Sequence, residues 1–174
     1  MDKVVPTLIV AAILALIFAM MAIGWRTRRR RQSHVAGLAP LPSEFGAVLL
    51  TEDLLYVATT PAELPLERIA VHGLGFRARA VLTVTQSGIR LELAGAAPGF
   101  IPSSALVGVG RATWTIDRVL RNDGLVFVRW TQSDARGTVL TLDSNFRSTD
   151  PDALVAAVEK IVPAAAPTPE GAAA

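Results

Sequence analysis

Apolar positions follow three different periods along this chain of 174 residues. Residues 4–25 (VVPTLIVAAILALIFAMMAIGW) carry no charged side chain at all. As a helix this stretch would extend about 33 Å, close to the roughly 30 Å hydrocarbon thickness of a bilayer. Pro6 falls in the first turn, where its missing N–H breaks no helical bond, and Trp25 ends the run where an amphipathic ring suits the headgroup level. Beyond the linker the period becomes two, which predicts strands. In 77–85, Ala78, Ala80, Leu82 and Val84 share one face, with Arg77, Arg79, Val81, Thr83 and Thr85 on the other. After Gln86-Ser87-Gly88, Ile89, Leu91 and Leu93 alternate with Arg90 and Glu92, so the pair reads as a hairpin with Gly88 in its turn. Residues 112–116, 125–132 and 138–143 alternate in the same way, 133–137 has turn chemistry, 54–59 is an earlier strand, and 100–109 holds another. The count is six or seven short strands, mostly antiparallel neighbours.

The period changes once more near the end. Asp150 is a good N-cap and Pro151 suits the first helical position. Leu154, Val155, Val158, Ile161 and Val162 then form one apolar stripe, Glu159 and Lys160 point away, and Pro163 stops the helix. An amphipathic helix after an antiparallel sheet can close a barrel end or cover an open face. The predicted organisation is therefore a transmembrane helix at 4–25, a basic juxtamembrane segment and linker at 26–43, a β domain at 44–162 and a disordered tail at 163–174. The linker QSHVAGLAPLPS reads as a tether, with His34 as a solvated residue in it. The tail PAAAPTPEGAAA offers nothing from which to build a core.

Charge changes the picture in one place. Lys3, Arg26, Arg28, Arg29, Arg30 and Arg31 face only Asp2 within residues 1–31, whereas acidic groups outnumber basic ones afterwards. The excess positive charge is thus one short block, and a phosphate-neutralising surface on the main domain is excluded; no nucleic-acid partner is expected. A cleaved signal peptide carries its charge before a shorter apolar stretch; here the arginines follow a long one. The positive-inside rule keeps them in the cytoplasm, predicting a single-pass plasma-membrane protein with its N-terminus outside and the domain inside. The same arginines could also lie against anionic lipids.

Catalytic chemistry is sparse. The chain has no cysteine and only two histidines, so thiolate nucleophiles and cysteine-ligated metals are excluded. Gly73-Leu74-Gly75-Phe76-Arg77-Ala78 matches a relaxed dinucleotide pattern, but that pattern needs a helix to begin at the glycines, and strand periodicity follows instead. His72 has no acidic companion at ligand spacing and reads as structural or solvent-exposed. Asp117, Asp123, Asp134 and Asp143 lie in or beside predicted turns, where aspartate bonds the backbone. No catalytic residue, metal ligand or cofactor site is predicted, and the chain is not expected to be an enzyme.

The stretches GFIPSSALVGVGRATW, GLVFVRWT and DPDALVAAVEKIV, in an order of about seven antiparallel strands and one closing helix, resemble the pleckstrin-homology (PH)-like fold. With the anchor, the chain resembles small membrane-anchored bacterial proteins carrying a PH-like domain. The fold class is accordingly mainly β, a PH-like barrel or sandwich closed by a C-terminal helix and preceded by a transmembrane helix. The resemblance implies a non-enzymatic binding or scaffolding module with a membrane or cytoplasmic protein as partner. It does not carry over phosphoinositide recognition, because Arg77 and Arg79 alternate along a strand rather than pair in a loop. The competing reading is an accessory subunit of a membrane transport or export complex, acting through its helix.

Ala11, Ala15, Ala19 and Ala22 recur on one helix face, where small residues let transmembrane helices approach closely; an alanine-rich composition also produces such a stripe. If it mediates a homodimer, the Ala15→Leu/Ala19→Leu variant loses the dimer captured by crosslinking in membranes.

Overall fold

The computed structural model describes residues 4–111, 114–115, 118–119, 125–134 and 137–163. The apolar run becomes helix α1 (Val4–Arg31), long and apolar enough to cross a membrane and buried nowhere against the rest of the protein. It does not stop at Trp25. The arginine block is its last turns, and cations there complement the partial negative charge of the helix C-terminus.

The strands are β1 (Val48–Pro61), β2 (Ala78–Thr85), β3 (Gly88–Leu93), β4 (Gly99–Pro102), β5 (Leu106–Arg111), the short pair β6 (Trp114–Thr115) and β7 (Arg118–Val119), β8 (Leu125–Ser133) and β9 (Val139–Arg147); helix α2 (Pro151–Glu159) follows. Seven of the strands form one antiparallel sheet in the order β4-β3-β2-β1-β9-β8-β5. The β2–β3 hairpin stands where the alternation put it, and at the predicted 133–137 turn Gly137 N–H donates to Asp134 O at 3.0 Å, residues 135 and 136 lying outside the described residues. Gly88 opens β3 rather than sitting in the turn; a Cβ there would come within 2.2 Å of the Ile101 carbonyl oxygen on β4. The stretch 100–109 is two strands, not one, because a 3-10 turn (Ser103–Ala105) swings the chain from one edge of the sheet to the other. Of the strand predicted at 112–116, only the β6 residues fall within the described residues, and the predicted tail beyond residue 163 lies outside them.

Strand β1 is more than twice the length that its apolar segment suggested, because it serves two partners. Its first part pairs with β2 from Val48↔Thr85 to Tyr56↔Ala78. Its second pairs with β9 from Leu55↔Arg147 to Pro61↔Leu142, with a bulge between Tyr56 and Ala58. Once β2 has left, the vacant edge is taken by the β1–β2 connection: Thr59 N–H donates to Leu74 O at 2.9 Å, and Ile69 N–H donates to Thr59 O at 2.9 Å. That connection is core rather than loop, with Ile69, Val71 and Leu74 all buried in the main cluster. The five consecutive residues from Tyr56 to Thr60 are consequently all buried, which erases the alternation.

A chain of buried polar groups crosses this point. Trp130 Nε1 donates to Ser144 Oγ at 3.0 Å, Ser144 Oγ lies 2.7 Å from Thr59 Oγ1, Thr59 Oγ1 lies 2.7 Å from Tyr56 Oη, and Tyr56 donates to Leu74 O at 2.6 Å. The ends set its direction. An indole can only donate and a carbonyl can only accept, so each hydroxyl donates to the next one toward Leu74.

Helix α2 starts where the sequence placed it: the Asp150 side chain accepts from Ala153 N–H, with Pro151 at the first position. Glu52, pointing inward from β1, accepts from Ser148 Oγ at 2.7 Å and from Thr149 N–H at 2.7 Å, fixing the approach to the helix. Leu154, Ala157 and Val158 are buried against the sheet, and Arg111 bonds Asp152 in the first turn. The helix ends at Glu159, short of Pro163; a final turn then folds Ile161 back into the core, its N–H bonded to Val158 O at 3.0 Å. Asp134 bonds its own turn as expected, accepting from Thr138 N–H at 2.8 Å. Asp143 does not lie in a turn. It sits within β9 and takes a two-pronged bond from Arg129 on β8, both distances 2.8 Å, and that bond raises the Arg129 pKa.

Burial drives the Tyr56 hydroxyl pKa well above its ordinary value of 10.0, so the folded state favours the neutral phenol. Its stabilising contribution is complete below the unfolded-state pKa and is lost as pH rises past it. Tyr56→Phe is expected to cost about 1–3 kcal/mol at neutral pH, because Thr59 loses its acceptor and one of the two donors to Leu74 O is lost. The same variant should show a shallower fall in stability above about pH 10 than the parent. Thermal unfolding followed by near-UV circular dichroism at stepped pH checks both; parallel alkaline limbs would contradict it.

Candidate binding groove

The residues predicted as a free tether are docked along the domain. Gln32 ends the helix and is buried; its Nε2 donates to Glu67 Oε1 at 3.2 Å and to Arg68 O at 3.1 Å, while its Oε1 accepts from Ala70 N–H at 2.6 Å. Val35 joins the core. His72 Nε2 lies 2.9 Å from Val35 O and must carry the proton, since a carbonyl can only accept. His72 takes a left-handed conformation with φ 55°, one that histidine tolerates better than most side chains, and its ring packs over Gly37. Ala39 bridges Phe100 with reciprocal bonds of 3.1 and 2.9 Å and so covers the outer edge of β4. His72, expected to be structural or solvent-exposed, is both: it is exposed, and its ring holds Val35 O. His34 is partly exposed next to the docked Val35, in a turn rather than a loose linker.

The glycine motif is geometric. The chain turns through residues 72–75 and enters β2 directly, with no helix to receive a pyrophosphate. A Cβ at Gly75 would stand 2.6 Å from Ile69 O, so close backbone approach explains that glycine. Among the described residues, no three His, Cys, Asp or Glu side chains converge as a metal site would require.

The outer face of the sheet offers a different feature. Where β2 and β9 part on either side of β1, Leu55 lies opposite Arg79 in one direction and Arg147 in the other. A groove of about 970 Å³ opens there, floored by Leu55 and Val81, bordered by Asp53 and Glu92, and walled by the 94–98 connection and Thr149. Glu92 is engaged by Arg90 at 2.9 Å. Among the described residues Arg79 and Arg147 form no ion pair. Two guanidinium groups flanking an aliphatic floor can bind a carboxylate beside an apolar side chain. The sequence alternation put Arg79 on the solvent face of its strand, and there it is. Arg147 was not singled out; the sole signal for it was the period of β9 continued past residue 143.

The five arginines of the block and the four alanines of the stripe all lie on α1. Arg26, Arg29 and Arg30 border a second, smaller cavity with Ser33, Val71 and His72; Arg28 and Arg31 do not.

Residues 35–162 match the model of a family described as bacterial PH domain-like, which covers most of the chain and begins at the docked Val35. The sheet agrees with it, since four strands lead from one edge to β1 and three return from the other, closed by α2. The chain belongs to the bacterial PH domain-like family. No curated protein gives a significant match. Joined to a helix that can span a bilayer, this PH-like domain fits a membrane-anchored protein, and the family match begins at Val35, ahead of the predicted start at residue 44.

Gln32 is the hinge pin of that arrangement. Gln32→Ala removes three hydrogen bonds and leaves the Ala70 N–H without its acceptor, a cost of about 1–3 kcal/mol. Limited proteolysis of the full chain in detergent should then cut within residues 32–43 far faster than in the parent; equal cleavage rates would show that the docking does not depend on this side chain.

Proposed function

We propose that this protein is a single-pass plasma-membrane protein, with its N-terminus outside and its domain in the cytoplasm, that presents the PH-like domain as a protein-binding, scaffolding module and not as an enzyme. The observation that carries the reading is the pair of unengaged guanidinium groups, Arg79 and Arg147, on either side of Leu55 in the outer groove. The occupant is an extended segment of a membrane or cytoplasmic protein carrying a carboxylate next to an aliphatic side chain. Anchoring confines both molecules to one surface and raises their effective concentration, so a modest groove suffices. The arginine block after the apolar run supports the orientation.

A photo-crosslinking side chain at Val81 in the full-length protein, in its native membrane, tests the groove. A reproducible partner is expected, and Arg79→Glu/Arg147→Glu should lower its capture about tenfold or more, because charge-assisted hydrogen bonds contribute about 1.5–3 kcal/mol each. A Lys160→Glu control, just past the end of α2 and outside the groove lining, should leave capture unchanged. Absence of any reproducible partner, or equal capture by all variants, would remove the reading. Capture lost on replacing residues 4–25 with an unrelated apolar helix would assign the function to the anchor instead.

A further inference from the structure

The second cavity lies at the corner where α1 meets the β1–β2 connection. Arg26, Arg29 and Arg30 are spaced i, i+3 and i+4, which places them on one helix face. With Ser33, Val71 and His72 they line an open hollow of about 390 Å³ that has no carboxylate in its lining. None of the three arginines forms an ion pair among the described residues. Two of the terminal carbonyls of the helix, which would repel an anion, are already engaged. Arg28 O accepts from Gln32 N–H at 3.2 Å, and Arg30 O accepts from both Ser33 N–H at 3.2 Å and Ser33 Oγ at 2.8 Å. Among the described residues no carboxylate offsets the charge of the three guanidinium groups.

Its depth is set by the anchor. The Arg29 guanidinium stacks on the Trp25 ring, 4.9 Å from the ring centroid, and Trp25 closes the apolar run. Arg26 to Arg30 therefore rise about 1.5–7.5 Å beyond the end of that run, while each headgroup layer is about 5–7 Å deep. The connection that supplies Val71 and His72 also carries Leu64, Leu66 and Phe76, three large apolar side chains exposed by 55%, 76% and 60%, as suits a surface meeting a lipid–water boundary. Because Gln32 and His72 pin this connection to the helix end, the cavity is a fixed feature of the fold and not a passing contact.

We infer that Arg26, Arg29 and Arg30, in the corner bordered by Ser33 and His72, bind the phosphate of an anionic phospholipid headgroup and seat the PH-like domain on the membrane in one orientation. This requires only the membrane anchor and is independent of the groove's partner.

The test uses the full-length protein in phosphatidylcholine nanodiscs doped with phosphatidylglycerol, with bound phosphatidylglycerol measured by native mass spectrometry. Arg29→Gln/Arg30→Gln should weaken retention about 30-fold, the equivalent of two basic contacts at the surface. Arg28→Gln/Arg31→Gln removes the same charge outside the cavity and should change retention by less than about threefold. Equal losses in the two pairs would mean diffuse attraction without a site and would overturn the inference, as would no loss in either. Soluble glycerol phosphate should fail to displace the lipid; displacement at matching concentration would make a free phosphate compound the ligand and overturn the membrane assignment.

Discussion

Strand β1 cannot keep both faces and both edges satisfied with a single partner, and the rest of the molecule follows from how it is relieved of that constraint. At Leu55 and Tyr56 its pairing passes from β2 to β9. The exposed edge this creates would leave backbone donors and acceptors unpaired in a dry interior. The β1–β2 connection fills it, and the one-way run of hydrogen bonds from Trp130 through Ser144, Thr59 and Tyr56 to the Leu74 carbonyl ties β8, β9, β1 and that connection together. Every member is satisfied, so the network adds definition to the core instead of a desolvation penalty.

Two surfaces descend from that arrangement. On the outside of the sheet, the parting of β2 and β9 leaves Leu55 between two arginines and opens the groove. At the membrane end, the connection that fills the edge of β1 is stiff enough to receive the helix terminus: Gln32 bonds it at three points, and His72 holds Val35. The domain is thereby joined to the helix without slack, so a bilayer holding that helix would also hold the domain in place.

Much of this was legible in the residues. Alternation found the β2–β3 hairpin and β8, and Asp150-Pro151 found the start of α2, because each of these elements has one wet face and one dry face. Reading fell short where both faces are covered. The strand at 54–59 is there, but Tyr56 to Thr60 show no period from which its second partner could be told, and Ile69, Val71 and Leu74 look like loop residues because a connection that plugs a strand edge has no repeat of its own. The linker was misread for a related reason: Gln32, Val35 and Ala39 are individually unremarkable, and their partners Ala70, His72 and Phe100 are far along the chain. Arg79 was placed on the correct face, yet nothing local could tell that Arg147 would stand across Leu55 from it.

By itself the sequence determined the apolar span, the basic block behind it, the mainly β domain with its closing helix, and the absence of cysteine chemistry, since each depends on side-chain type and short-range spacing. Only the tertiary structure decided that α1 runs on through the arginines into a docked junction, that β1 changes partner, and that distant arginines share a groove while three others share a corner with His72. Those are products of pairing register and edge satisfaction, which are settled between segments far apart in the chain, and short-range spacing carries no record of them.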